Sequence, residues 1–124
     1  FHCHGGILFT DNQFHNNALD ANPSAGLSEI TNLPADVGKY KSPTLRNIEL
    51  TAPYMHDGRF QTLEEVVDFY SEGLHSSPTV DPLMKSLHFG GKHLTPQQKS
   101  DLIAFLKTLT DTSYTTNPAL ASPF

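Results

Sequence analysis

Pro53-Tyr54-Met55-His56-Asp57-Gly58-Arg59-Phe60-Gln61-Thr62-Leu63-Glu64-Glu65-Val66-Val67-Asp68-Phe69-Tyr70-Ser71-Glu72-Gly73 sets a polar turn directly before a capped helix. Asp57-Gly58 is an ordinary turn signal. Thr62 followed three residues later by Glu65 is a capping box, in which side chain and backbone satisfy each other's unpaired groups. Leu63, Val66, Val67 and Tyr70 recur at i, i+3, i+4, i+7 and predict one apolar face. Glu64-Glu65 are charges favoured at a helix N-terminus rather than a catalytic carboxylate pair. Gly73 is expected to close the helix as a C′ glycine.

A second helix is legible downstream. Thr95 is its N-cap, Pro96 its first residue and Gln98 its N3 partner. Leu102, Ile103, Phe105, Leu106 and Leu109 form its apolar stripe, and it ends near Thr110. Upstream, Pro43 and Pro53 interrupt any long helix and leave room for one turn over Thr44–Ile48. Residues 11–39 carry few apolar anchors and many Asn, Asp, Gly and Pro, so a long irregular excursion with one short helical turn is expected, wrapped around something. A short helix is expected at Ile7-Leu8-Phe9, and a helical turn at Asp81-Pro82-Leu83-Met84-Lys85. No strand-like alternation or internal repeat is present. The domain is placed at residues 1–110, with 111–124 as a tail.

Composition narrows the function. The 124 residues carry a formal charge of −5, with 37% hydrophobic and 17% charged residues. A net negative chain lacks the basic face that nucleic acid requires. No run approaches the ~20 apolar residues of a membrane span. One cysteine excludes an internal disulfide framework. A loop-rich chain without disulfides needs another staple, and a metal, a cofactor or a neighbouring domain can supply it.

The chemistry-bearing residues lie in two places. Phe1-His2-Cys3-His4-Gly5-Gly6 ends like Cys-x-x-Cys-His, in which two thiols attach a c-type haem and the histidine ligates its iron. The first cysteine of that motif would stand immediately before Phe1, so the chain reads as a fragment opening inside the motif. Met55 offers a soft thioether and Tyr70, on the inner helix face, a phenol; both are haem-iron ligand types. His2, His15, His75, His88 and His93 do not make the spaced four-ligand set of a zinc site, and His2, Cys3 and His4 are adjacent and cannot all face one metal in a regular element.

Lys41-Ser42-Pro43-Thr44-Leu45-Arg46-Asn47-Ile48-Glu49-Leu50-Thr51-Ala52-Pro53-Tyr54-Met55-His56-Asp57-Gly58-Arg59-Phe60, followed by Thr62-Leu63-Glu64-Glu65-Val66-Val67, resembles bacterial dihaem cytochrome c peroxidases and the related MauG-like proteins. The resemblance runs from Cys3 to about Thr110. It implies an all-α, loop-rich cytochrome c fold, and the C-terminal of two haem domains in a parent chain. That parent would be a periplasmic oxidoreductase reducing hydrogen peroxide or performing a related oxidation. By position it makes Cys3 the second thioether cysteine of haem c and His4 the proximal ligand. It makes Tyr70, fourteen residues beyond His56, the first choice for distal ligand, with Met55 second. Lys41 and Arg46 match residues near haem propionates. Thr51 and Pro53 match backbone-carbonyl ligands of an interdomain calcium, a site incomplete in this chain. The implied partners are the N-terminal haem domain and a small electron-donor protein, with a homodimer of the parent also open. No catalytic side chain is assigned, and the fragment alone is expected to turn over little peroxide. Two other readings stay open: a simple electron-transfer cytochrome domain, and a haem-free structural fragment.

Overall fold

The computed structural model describes residues 2–121. Phe1, the first x residue of the expected motif, and the last three residues of the tail lie outside the described residues.

Two capped helices carry the fold. Four helices occur among the described residues: α1 (Ser28–Thr31), α2 (Leu63–Glu72), α3 (Pro96–Lys107) and α4 (Thr112–Thr115). At α2 the Thr62 hydroxyl accepts the Glu65 N–H (3.2 Å), and the Glu65 carboxylate accepts the Thr62 N–H (3.0 Å). Thr95 and Gln98 repeat the box at α3. α2 packs on α3, and Tyr54, Leu63, Val67 and Leu106 form the buried core. Leu45, Ile48, Phe60, Ile103 and Leu109 close around it. Val66 and Tyr70 of the predicted α2 face are only partly buried, whereas Phe69 is buried outright. Of the predicted α3 stripe, Leu106 is buried but Leu102 and Phe105 are exposed, because α3 meets the core along a narrow strip.

The rest of the chain wraps this pair. Phe14–His15 (β1) pairs antiparallel with Tyr40–Lys41 (β2), a short ladder that the absence of alternation did not announce. It staples the two ends of the 16–39 excursion, which contains α1 and a 3₁₀ turn at Pro34–Asp36 rather than a single helical turn. Gly38, at φ +74°, lies where a Cβ would meet Pro23 Cβ at 2.6 Å, so only glycine lets the excursion fold back on itself.

Several local expectations shift. Residues 6–9 make a turn closed by the Phe9 N–H on the Gly6 carbonyl (3.2 Å), not a helix. The turn expected at Thr44–Ile48 is closed by the Ile48 N–H on the Leu45 carbonyl (3.1 Å) and runs on into a 3₁₀ turn at Ile48–Leu50; the one expected at Asp81–Lys85 is closed by the Met84 N–H on the Asp81 carbonyl (2.9 Å), and a further 3₁₀ turn follows at Leu87–Phe89. The tail carries α4 and a 3₁₀ turn at Pro118–Leu120, all exposed. Gly73 ends α2 but at φ −113°, outside the left-handed region. There a Cβ would press the Phe69 ring at 3.1 Å, so the glycine serves packing rather than a left-handed cap.

Candidate functional site

Cys3 is anchored by its backbone. Its carbonyl accepts the Asp11 N–H (3.0 Å) and the Ser42 hydroxyl (2.9 Å), which ties the start of the chain to β2. Beside it, His4 Nδ1 lies 3.2 Å from the Phe9 carbonyl. A carbonyl only accepts, so Nδ1 carries the proton; the Pro43 carbonyl also bonds the ring, a contact that a metal on the imidazole would have to replace. Burial holds the His4 pKa below its ordinary value, which preserves the neutral, ligating form.

Tyr70 is placed by the chain that follows α2. The Lys92 N–H bonds the Tyr70 carbonyl (3.1 Å), the His93 N–H the Ser71 carbonyl (2.8 Å), and the Leu94 N–H the buried Ser71 hydroxyl (2.9 Å). The first two of those bonds occupy carbonyl acceptors that the last turn of a helix leaves open. The Tyr70 hydroxyl accepts a hydrogen bond from Asn17 Nδ2 at 3.0 Å, and the same nitrogen lies 3.5 Å from Met55 Sδ. The phenolic proton has no acceptor among the described residues. Burial pushes the Tyr70 pKa up, the Asn17 bond opposes it, and negative charge on Cys3, where it forms, adds to the rise. Cys3 and Tyr70, sixty-seven positions apart, therefore lie close enough for charge on one to act on the other.

The site also contains groups that sequence reasoning missed. His15 Nδ1 lies 2.6 Å from Asp81 and Nε2 2.7 Å from Asp11, so both ring nitrogens donate and the ring is an imidazolium. Burial alone would lower the His15 pKa; the two carboxylate bonds outweigh it and raise it. Cys3, Asp11 and His15 bring one ligand atom each within 4.8 Å of one another. His15 is already committed to two carboxylates, so the trio is a charge cluster first and a metal site only if those bonds break. Burial, then Asp11 and Asp81, push the Cys3 thiol up, away from the thiolate a metal would need. Asp11 and His15 meet four positions apart, but spacing could not reveal Cys3 beside them, because its bonds to the Asp11 N–H and the Ser42 hydroxyl hold it there.

The remaining predicted residues lie elsewhere. Lys41 and Arg46 line an open groove of about 570 Å³ with Leu8, Thr10 and Thr44; Cys3, His4 and Tyr70 do not line it. The Arg46 guanidinium is engaged by the Ile7 carbonyl, through Nε (3.1 Å) and Nη2 (2.8 Å). Thr51 and Pro53 are exposed, and their carbonyls accept no hydrogen bond from the described residues. Met55 sits at φ +71°, a conformation costly for a side chain of its size.

The arrangement fits a haem by its donor set. It offers a neutral imidazole, a phenol whose proton lacks an acceptor among the described residues, and an adjacent thiol. The core is also small for such a chain: the buried apolar residues described are Ala18, Leu19, Tyr54, Leu63, Val67, Phe69 and Leu106, while Ile7 is 79% exposed. A flat apolar cofactor would supply what this core lacks.

No protein-family model matches the chain. It is 47% identical over 89 residues to the cytochrome-c peroxidase IdrP1 of Pseudomonas sp. (strain SCT), covering 72% of this chain and 22% of that protein. It is 34% identical over 109 residues to the methylamine utilization protein MauG of Methylorubrum extorquens, covering 86% of this chain and 30% of MauG. A solved MauG-like protein associated with microbial copper homeostasis superposes on 98% of this chain and 45% of its own, with 41% identity and a TM-score of 0.83. The chain thus spans a fifth to a third of the curated relatives' length. The fold is the loop-rich, all-α cytochrome c fold. The chain belongs to the family of the cytochrome-c peroxidases and MauG proteins. No helix among the described residues is long and apolar enough to cross a membrane.

Proposed function

We propose that this chain is a haem c-binding, electron-transferring domain of a dihaem peroxidase or MauG-like oxidoreductase exported to the periplasm. Haem, when bound, supplies the redox chemistry, shuttling iron between ferric and ferrous states. The chain's residues set how it does so. Cys3 provides a thioether sulfur. His4 would offer a ring nitrogen, its ring oriented by the Nδ1–H bond to Phe9, once the Pro43 contact gives way. Tyr70 offers a phenolate oxygen, a hard donor that favours ferric iron. Lys41 and Arg46 supply positive charge for carboxylates on the cofactor rim. The carbonyls of Thr51 and Pro53 supply part of a calcium shell, to be completed by the neighbouring haem domain. That domain, a small electron-donor protein and hydrogen peroxide are the proposed partners and substrate.

The observation that carries this reading is the Tyr70 hydroxyl, which accepts from Asn17 yet has no acceptor for its own proton among the described residues. An iron centre taking the place of that proton, with the proton released to solvent, would resolve the imbalance. The test is the ferric visible spectrum of the haem-loaded protein with Tyr70→Phe, which keeps the ring and removes the oxygen. A phenolate-to-iron band should disappear, and the midpoint potential should rise. A wild-type spectrum in Tyr70→Phe, with a sulfur-to-iron band lost in Met55→Leu, would give the ligand role to Met55.

A further inference from the structure

We infer that Asn17 is a positioning residue for the distal ligand: its carboxamide fixes the Tyr70 oxygen and tunes how strongly that oxygen donates to iron. The inference rests on the reading of Tyr70 as the ligand.

The orientation of the amide follows from its surroundings. Asn17 Nδ2 lies 3.0 Å from the Tyr70 hydroxyl and 3.5 Å from Met55 Sδ. A thioether accepts but cannot donate. The amide face turned toward both groups is therefore the NH₂, with one hydrogen for each. One group thus reaches both candidate ligands, and favours the oxygen by distance and by acceptor strength.

The peptide carrying Asn17 is held rigidly. Asn16, at 2% exposure, donates from Nδ2 to Thr79 (2.9 Å) and Ser77 (3.2 Å) and accepts from the Ala18 N–H (2.9 Å). Its carbonyl accepts the Asp81 N–H (3.0 Å). Ala18, fully buried at φ +65°, accepts the His75 N–H through its carbonyl (2.9 Å). Both flanking residues are thus pinned to the 75–81 segment, and Asn17 between them has little freedom to withdraw. A site group locked by its supporting shell delivers its hydrogen bond without paying to order itself.

The consequence is electronic as well as geometric. A hydrogen bond to a phenolate oxygen withdraws electron density and so weakens its donation to ferric iron. Removing the bond makes the oxygen a stronger donor, which favours the ferric state. The midpoint potential should fall, and the phenolate-to-iron band should move to longer wavelength.

The experiment compares the haem-loaded wild type with Asn17→Leu, which keeps the branched shape and removes the donor, and with Asn17→Asp, which is isosteric and turns an acceptor toward the phenolate. Ferric spectra and spectroelectrochemical midpoint potentials are the readouts; far-UV circular dichroism checks the fold. Both variants should lower the potential and red-shift the band, Asp more than Leu and increasingly as its carboxyl ionises. If Asn17→Leu does not retain haem, the isosteric Asp variant decides alone. Wild-type band and potential in the variants, with the band still lost in Tyr70→Phe, would overturn the role of Asn17 while leaving Tyr70 as ligand. Absence of any phenolate band in the wild type would overturn the ligand assignment and, with it, this inference.

Discussion

Replacing His15 with Phe should destabilise the chain most at mildly acidic to neutral pH and far less in alkali. The ring would persist, but the imidazolium that joins Asp11 and Asp81 would not. Burial pushes the Asp81 carboxyl up, and the bonds from His15 and the Leu83 N–H bring it below its ordinary value. The Gln13 N–H and then His15 hold Asp11 low. The Asp81 bond is the one that counts: both side chains are largely covered, at 14% and 16% exposure, and their atoms are 2.6 Å apart. A hydrogen bond between charged partners contributes about 1.5–3 kcal/mol, and partial solvation places this one near the middle, about 2 kcal/mol. The Asp11 side faces water and is not counted. A histidine raised in the folded state contributes fully below its ordinary value of 6.5 and loses that contribution as pH climbs through the raised folded value. The two lowered carboxyls contribute above their ordinary 3.8 and lose it as pH falls through their folded values. The cost of His15→Phe should therefore be greatest between these limits. Urea unfolding followed by circular dichroism, at pH 5.5 and again at pH 9, tests this. With a slope of about 2 kcal/mol/M, the midpoint should drop by about 1 M at the lower pH. Equal losses at both values, or a larger loss in alkali, would refute the imidazolium.

Other consequences are direct. Gly91→Ala should be severely destabilising, because its Cβ would fall 2.0 Å from the Ser71 carbonyl oxygen at the end of α2. Displacing the 90–93 segment breaks the bonds from Lys92 to Tyr70 and His93 to Ser71 and from Leu74 to Gly90, at about 1 kcal/mol each before strain; a loss below about 1 kcal/mol in urea unfolding would contradict the contact. In a haem-loaded protein the same change should also broaden or lose the Tyr70 signature, since the new methyl presses on the last turn of α2, which carries Tyr70. Thr62→Ala removes half of a capping box and should cost about 1 kcal/mol, while Thr62→Ser should recover most of it, as thermal melts would show.

Local chemistry was legible in the sequence because it depends on neighbours in the chain. Both capping boxes, α2 and α3, the proline breaks and the long excursion follow from residues within four positions of one another. Cys3-His4 and Tyr70 were legible as ligand types for the same reason, and the block from Lys41 to Val67 carried the family. Tertiary structure decided what those residues meet. Gly73 looked like a left-handed cap, yet Phe69 packs against it. Leu102 and Phe105 looked like core, yet α3 presents only Leu106 fully to α2. Asn17, His15 and Asp81 carried no local signal at all. They become a ligand clamp and a charge clamp only when the β1–β2 ladder and the 75–81 segment bring residues more than fifty positions apart into hydrogen-bond range. Hydrogen bonds are short and directional, so a partner distant in sequence is invisible until the chain closes; periodicity and capping repeat along the chain and can be read before it does.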